Sequence, residues 1–415
     1  RILEQEKERL ALVVAKEMGK VLAESRGDVQ EAIDMAYYMA GEGRRLFGHT
    51  TTSELKDKFA MTIRRPIGVV TCITPWNFPI AIPSWKLFPA IICGNAVVFK
   101  PSSDTPLCAL EFLKVLQRAG LPSGVVNFVP GSGGDVGAEL VRNKKVRAVS
   151  FTGHKDTGKW IMQNAGIKKV SLELGSKNAI IVMDDADLSL ALEGVIWGAF
   201  GTTGQRCTAA SRVIVHQKVK KKFEQALIAR VKKLKLGPGY QKGIDIGPLI
   251  NEAAVKKVHS YVEIGKKEGA KLLHGGRPVK VKGRGFFFEP TIFTDSTKDM
   301  RTCKEEIFGP VLSIMEAKNL QDAINLFNSV DYGLSSSIYT SNINNAMKAI
   351  EKIEAGLTYV NASTIGSEVH LPFGGVKETG SAREGGILGI DEFSEMKTVY
   401  IDYSGKLQKA QIDVE

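Results

Sequence analysis

Gly68-Val-Val-Thr-Cys-Ile-Thr74, closed by Pro75-Trp-Asn-Phe-Pro79, is the stretch from which the fold of this 415-residue chain is read. A short apolar run rich in β-branched residues, bounded by glycine and proline, predicts a strand buried on both faces. The unit then recurs. Helical spacing over 85–92 leads to an apolar strand at 96–100, a helix over 107–119 and a strand at 125–129. A further strand is expected at 148–151 and a helix at 155–164. Strands alternating with helices at this pitch predict an α/β protein built on a parallel, doubly wound sheet. Such sheets bind ligands beyond the carboxyl ends of their strands, which is where Asn77, Lys100, Gly131 and Gly153 fall.

Outward from that core, residues 1–47 carry apolar residues at helical spacing, and 48–65 alternate like an extended hairpin. A second segment opens with Val170-Ser-Leu-Glu-Leu-Gly-Ser-Lys-Asn178, followed by a strand at 179–183 and an apolar helix at 188–200. Helices at 252–268, 323–329 and 345–353 are expected there, with strands at 288–293 and 357–361. An alternating strand at 398–403 stands outside the βα rhythm.

Hydrophobic residues make up 43% and charged residues 24%, an ordinary globular balance, and the length suits two or three domains. The longest apolar run, 87–99, is too short to span a bilayer. No charged-then-apolar leader precedes the first helical pattern, so export is not expected, and the start at Arg1 rather than Met raises the expectation of a further N-terminal segment. Five scattered cysteines without a CxxC pair or Cys/His cluster argue against a metal and against a disulfide scaffold. A reducing cytoplasm is the expected compartment. The net charge of +11 raises nucleic acid as a partner. Its densest source, 218–235, instead spaces Phe223, Leu227, Val231 and Leu234 as one face of an amphipathic helix, and no recognition motif accompanies it.

The chemical centre is Phe200-Gly-Thr-Thr-Gly-Gln-Arg-Cys-Thr-Ala-Ala-Ser211. Gly201 and Gly204 permit tight turns beside a ligand, and the adjacent Arg206 would favour the thiolate of Cys207, the form that attacks carbon. Taken alone, the stretch fits a small buried cysteine equally well. The glycines from Gly131 through Gly133 to Gly137 likewise fit either a phosphate-binding turn or a plain strand-to-helix turn, since they do not match GxGxxG.

Together, Pro75-Trp-Asn-Phe-Pro79, Lys100-Pro101, Phe151-Thr-Gly153, Glu173-Leu-Gly175, Gly204-Gln-Arg-Cys207, Glu306-Ile-Phe-Gly-Pro310 and Pro372-Phe-Gly-Gly375 resemble the aldehyde dehydrogenase superfamily in order and spacing. The resemblance covers nearly the whole chain. It implies a Rossmann-like cofactor domain from 1–47, 67–174 and 376–393, and an α/β catalytic domain at 175–375. It also implies an oligomerisation β-element from 48–66 and 394–415, hence a homodimer or homotetramer.

That resemblance implies Cys207 as nucleophile, Glu173 as general base and Asn77 as oxyanion donor with the Cys207 backbone N–H. Relatives that pass the acyl group to coenzyme A lack a carboxylate at the Glu173 position, so release of a free acid is expected. Cofactor contacts are implied for Thr74, Pro75, Trp76, Lys100, Ser103, Gly131, Gly133, Gly137, Phe151, Thr152, Gly153, Gly175, Glu306 and Phe308. His154 stands where the family usually has serine, and its side chain offers an alternative contact to an anion. Ser103 replaces the carboxylate common in NAD-preferring relatives, so NADP is the expected cofactor, with NAD the alternative and no metal. Phe373 and Thr208 are implied in substrate contact. Arg206 either binds an anionic substrate or braces its own loop, and Glu384 either assists proton release or forms a surface salt bridge. The C-terminal motifs resemble microbial semialdehyde or broad-range members. The expected reaction is oxidation of a semialdehyde, succinic or 2-oxoglutaric, to the free acid. The alternatives are a non-phosphorylating glyceraldehyde-3-phosphate dehydrogenase and an inactive structural homologue.

Overall fold

The structure, a computed structural model, describes residues 1–281 and 283–412. Residue 282 of the expected catalytic domain and residues 413–415 of the expected oligomerisation element lie outside the described residues.

Two helices open the chain, α1 (Ile2–Glu17) and α2 (Leu22–Glu42), and two strands follow, β1 (Thr50–Thr52) and β2 (Lys58–Pro66). The βα rhythm then runs β3 (Val69–Ile73), α3 (Ala81–Ile92), β4 (Ala96–Lys100), α4 (Pro106–Arg118) and β5 (Val126–Phe128). It continues through α5 (Ala138–Arg142), β6 (Ala148–Thr152), α6 (Lys155–Asn164) and β7 (Lys169–Glu173). These strands form one parallel sheet in the order β5-β4-β3-β6-β7. The order reverses direction at β3 and β6, so the expected doubly wound sheet is present, with its switch point between those strands.

Register puts the strand ends in line: Ile73 lies beside Lys100 and Phe151, and Thr152 beside Glu173. One apolar cluster packs α1 to α4 on one face of the sheet, including Leu10, Val14, Val70, Phe99 and Phe112. A smaller one holds Val141, Phe151 and Ile161 on the other. Burial on both faces is why these strands read as continuous apolar runs.

The second part continues with β8 (Asn178–Val182), α7 (Leu188–Phe200), β9 (Ala210–His216), α8 (Gln217–Val231) and α9 (Glu252–Lys267). The strands β10 (Lys271–His274), β11 (Pro278–Val281), β12 (Arg284–Phe288) and β13 (Thr291–Thr294) follow, then α10 (Arg301–Lys304) and β14 (Val311–Ala317). The last elements are α11 (Leu320–Asn328), β15 (Tyr332–Gly333), β16 (Ser335–Tyr339), α12 (Ile343–Lys352), β17 (Leu357–Val360), β18 (Val376–Lys377), α13 (Leu388–Glu392) and β19 (Ser394–Asp402). A seven-stranded sheet, β10-β13-β14-β9-β8-β16-β17, is parallel except at β10. Alternate residues serve opposite cores: Ile180 and Val182 face α7 and α8, whereas Ala179 and Ile181 face α9 and α11.

Several boundaries differ from the sequence expectation. The α3 helix begins at Ala81 rather than Trp85, because Asp28 of α2 accepts hydrogen bonds from the Ile80 and Ala81 N–H groups at 3.3 and 2.7 Å. A cap supplied by another helix leaves no local signal. The strands expected near 288–293 are β12 and β13, which together extend beyond that span and part at Pro290, a residue that can donate no ladder hydrogen bond. The basic helix ends at Val231, and Phe223, Leu227 and Val231 are its buried face. The 131–137 glycines form a π-helical turn, Gly133–Gly137, running into α5. The excursion and the C-terminal strand join as an antiparallel sheet, β1-β2-β19.

The two large sheets face each other with opposite polarity. The five-stranded sheet presents its carboxyl ends, and β8, β9 and β14 present their amino ends. The β7–β8 link, Leu174–Lys177, passes directly from one sheet to the other, and the cleft between them is where the chemistry collects. Among the described residues, no helix is long and apolar enough to cross a membrane.

Candidate active site

Cys207 stands at the end of a strained turn. Thr202, Thr203 and Gly204 adopt φ values of +50°, +59° and +70°, three successive left-handed residues of which only the last is glycine. Each threonine costs about 1–3 kcal/mol in that conformation, so the surroundings have to hold it. They do so densely. Glu24 accepts the Thr202 N–H at 2.7 Å, Arg206 Nε donates to Thr202 Oγ1 at 2.8 Å, and Thr203 Oγ1 donates to the Gly247 carbonyl at 3.0 Å. Gln205 accepts the Ile250 N–H at 2.9 Å. A Cβ on Gly204 would lie 2.3 Å from the Gly309 carbonyl oxygen, so this position admits glycine alone. Asn178 Nδ2 donates to the Cys207 carbonyl at 2.7 Å, as does the Ser176 hydroxyl, and this fixes the cysteine backbone.

Cys207 joins two chambers. One, about 830 Å³, is lined by Pro75, Trp76, Asn77, Thr152, Gly153, His154, Gly175, Glu306 and Phe308. Through Pro75, Trp76, Thr152, Gly153 and His154 it continues into a cleft along the strand ends of the five-stranded sheet, walled by Thr74, Lys100, Ser103, Gly133, Gly137 and Phe151. Gly131 stands outside this wall and shapes it indirectly, its carbonyl accepting the Ser103 hydroxyl at 3.2 Å. The other chamber, about 750 Å³, is lined by Glu31, Phe78, Trp85, Glu173, Arg206, Thr208, 365–367, Phe373 and Glu384. All the residues singled out in the sequence therefore converge on one continuous cavity or its immediate frame.

Electrostatics corrects one expectation. Arg206 does not activate the thiol: its guanidinium turns away onto Thr202 Oγ1 and Glu24, 3.2 Å distant, and packs between the Phe78 and Trp197 rings. It braces the loop while one edge borders the second chamber. Burial, then the charges of Glu173 and Glu306, push the Cys207 thiol up to about 12, opposed by the Thr208 backbone N–H. Burial, then Glu384, holds the Glu173 carboxyl well above the usual carboxylate range, although Lys86 and Arg383 pull it down. Among the described residues, Glu173 Oε1 has no hydrogen-bond partner, and neither has the buried Asn77 Oδ1. Asn77 Nδ2 donates one proton to the Gln205 carbonyl at 3.2 Å, leaving its second N–H uncommitted.

Glu384 forms no surface salt bridge; it is buried in an ion pair with Lys86, which also donates to Ser150 at 2.9 Å. His154 caps α6, its Nδ1 accepting the Asp156 N–H at 3.3 Å. Glu306 accepts the Ser176 N–H at 2.8 Å. Trp76 and Phe308 meet edge to face at 5.4 Å.

Two charged lining residues escaped the sequence reading. Lys257 of α9 borders the first chamber and passes in the sequence for one more solvated lysine. Glu31 borders the second. Its signal was present: Glu24, Asp28, Glu31 and Met35 follow one helical stripe, and a stripe that ends in a buried methionine marks its acids as inward-facing.

A model described as the aldehyde dehydrogenase family matches residues 1–399. The chain belongs to that family. It is 44% identical over 405 residues to a 2,5-dioxopentanoate dehydrogenase of Saccharolobus solfataricus, a match covering 96% of this chain and 84% of the relative. It is 42% identical over 406 residues to an alpha-ketoglutaric semialdehyde dehydrogenase of Bacillus subtilis, covering 96% and 83%. Among solved structures, a betaine aldehyde dehydrogenase of Staphylococcus aureus in complex with NAD+ superposes with a TM-score of 0.95 at 37% identity, covering 98% of this chain and 81% of that one.

For this aldehyde dehydrogenase the raised thiol has a direct consequence. The thiolate is the reactive form, so its fraction grows about tenfold per pH unit until pH approaches the pKa. Alkylation of Cys207 by iodoacetamide, followed by peptide mapping of the ligand-free enzyme, is expected to rise at that rate from pH 7 to pH 10. A plateau near pH 8 would contradict the electrostatic account.

Proposed function

We propose that the enzyme oxidises a semialdehyde carrying a distal carboxylate, of the 2-oxoglutarate semialdehyde class, to the free acid. The observation that carries this reading is the meeting at Cys207 of two chambers, one bordered by Glu306 and the other by Glu173 and Arg206. The names of the two most similar relatives described above support the substrate class.

Cys207 Sγ attacks the aldehyde carbon, and the resulting oxyanion is held by Asn77 Nδ2 and the Cys207 backbone N–H. The cleft suits a dinucleotide: Thr74 Oγ1 and Thr152 Oγ1 are buried in it without partners, and Lys100 and Ser103 stand at its far end. A nicotinamide cofactor bound there supplies the hydride acceptor that the oxidation requires. Lys100 and Ser103 would hold its adenosine ribose, and Glu306 the ribose at the reacting end. The carbonyl carbon stays on Cys207 as a thioester until Glu173 takes a proton from water and the acid leaves. Burial raises the basicity of Glu173, which suits it to take that proton.

NADP is the cofactor we infer. No carboxylate occupies position 103, and the adjacent Asp104 is turned to Asn251 Nδ2 at 3.2 Å. A glyceraldehyde-3-phosphate dehydrogenase is disfavoured, because the guanidinium of Arg206 is already engaged by Glu24 and a phosphate dianion would also face Glu31. The exposed β1-β2-β19 sheet, with Phe59, Met396, Tyr400 and Ile401 at its surface, is the assembly surface we infer for a homodimer or homotetramer.

The full chain is expected to reduce NADP with 2-oxoglutarate semialdehyde, and Cys207→Ala to abolish turnover. Glu173→Gln is expected to release one equivalent of reduced cofactor per site and then stall, visible as a burst in stopped-flow absorbance. Undiminished turnover in Cys207→Ala rules the mechanism out. Ser103→Glu is expected to shift the NADP-to-NAD ratio of kcat/KM by about tenfold or more toward NAD, through repulsion of the 2′-phosphate. Light scattering is expected to give a multiple of the 45.2 kDa chain mass; a monomer would remove the assembly reading.

A further inference from the structure

The second chamber contains a carboxylate that the chemistry at Cys207 does not use. Glu31 lies half-buried in its wall on α2, facing the space that Cys207, Glu173 and Phe373 also border. The donor beside it is the Trp85 indole N–H of α3, buried and without a hydrogen-bond partner among the described residues, and near enough to favour the ionised Glu31. Arg206, the cation on the same wall, is mostly committed. Its Nε serves Thr202, its Nη2 serves Glu24, and two aromatic rings cover its faces. Only Nη1 makes no hydrogen bond among the described residues. The remaining acid of the wall, Glu384, is paired with Lys86.

A distal carboxylate entering this chamber thus meets one free N–H edge of Arg206 and, besides Glu173 at the reacting end, one acid without an ion-pair partner. Two carboxylates at close range do not both stay ionised; they share a proton or separate. We propose that Glu31 is a proton-controlled selector of substrate charge. Protonated, it donates a hydrogen bond to the distal carboxylate of a semialdehyde. Ionised, it turns that carboxylate away and leaves the chamber to neutral and cationic aldehydes. The proposal rests on the aldehyde dehydrogenase reading above and names what sets its substrate class.

The surroundings place the switch in the working range. Burial and the neighbouring Asp28 of the same helix push the Glu31 carboxyl up, while Arg206 from the catalytic loop, Lys20 from the α1–α2 turn and the Trp85 N–H from α3 pull it down. The balance lies at about 7. Linkage gives the sign: a ligand that prefers the protonated form binds more weakly as pH rises through that value, and its binding takes up a proton. A ligand without a distal charge has no such preference.

The test is the ratio of kcat/KM for 2-oxoglutarate semialdehyde to kcat/KM for pentanal, measured from pH 6 to pH 9 with the full chain. Taking the ratio cancels the ionisations of Cys207 and Glu173, which both aldehydes share. In the wild type the ratio is expected to fall by up to about tenfold per unit above pH 7, the limit for one ionisation. The corresponding ratio for a trimethylammonium aldehyde is expected to rise. In Glu31→Gln, an uncharged donor at all these pH values, both ratios are expected to stay flat. A wild-type semialdehyde ratio that does not change with pH overturns the proposal, and this needs no variant to fold. The same slope persisting in Glu31→Gln overturns it too, by assigning the titration to another group. Oxidation of pentanal with a flat ratio sinks the selector alone, whereas failure to oxidise either aldehyde removes the dehydrogenase reading and the selector with it.

Discussion

One buried carboxylate holds the loop that leads to Cys207 in shape. Glu24 accepts the Thr202 N–H and pairs with Arg206, and Arg206 in turn donates to the Thr202 hydroxyl. Without that triangle two threonines in left-handed backbone would have little reason to remain there, and an unconstrained turn would relax toward ordinary conformations. Cys207 follows directly, so the direction of its Sγ depends on contacts made five residues earlier. Hydrogen bonds to a charged group are among the stronger ones, and burial makes their loss costly. The thiol is aimed by α2, an element of the other half of the molecule.

The same helix extends this arrangement along one stripe. Asp28 caps α3 and forms a fully buried pair with Lys20 at 2.9 Å, while Lys20 also sits 3.6 Å from the centre of the Phe78 ring. Arg206 packs on that ring too. Phe78 adjoins Asn77, so the amide and the thiol are positioned through one cluster of cations, acids and an aromatic ring. Acids are needed on this face of α2 because the catalytic loop presents N–H donors and a guanidinium to it. A purely apolar stripe would leave those groups unsatisfied in the interior. Glu31 continues the stripe to the point where protein partners run out and the chamber begins.

Much of this architecture was legible in the sequence because its causes are local. The β3 to β7 strands declare themselves by apolar runs with turn residues at their ends, and burial on both faces explains why they do not alternate. What escaped has distant causes. The start of α3 at Ala81 depends on Asp28, more than fifty residues earlier. The orientation of Arg206 depends on Glu24, 182 positions away. Reading Arg206 as an activating cation treated sequence adjacency as spatial adjacency, yet successive side chains in a left-handed turn need not share a direction. Cys207, Glu173 and Asn77 were singled out through resemblance to a family. Composition and spacing alone left the cysteine undecided, and no periodicity ties residues from three separate connections together. Lys257 was hidden for a different reason: a charged residue on an amphipathic helix reads as solvated unless the far wall of a cavity is known.

The width of the first chamber follows from how closely backbones approach across it. A Cβ on Gly175 would lie 2.9 Å from Glu306 Oε2, and one on Gly204 would lie 2.3 Å from the Gly309 carbonyl. Both contacts involve the Glu306–Gly309 connection, where Phe308 itself adopts φ +61°. The two glycines let the β7–β8 link and the catalytic loop press against that connection from either side. With a side chain at either position, Glu306 or the Gly309 carbonyl would have to retreat. The Ser176 N–H that holds the Glu306 carboxylate would then lose its alignment. The cleft is therefore gauged by main chain, which is stiffer than side chains in their rotamers. That stiffness suits the proposed chemistry, in which hydride transfer and thiol attack share one carbon and little displacement between the groups on its two sides is tolerated.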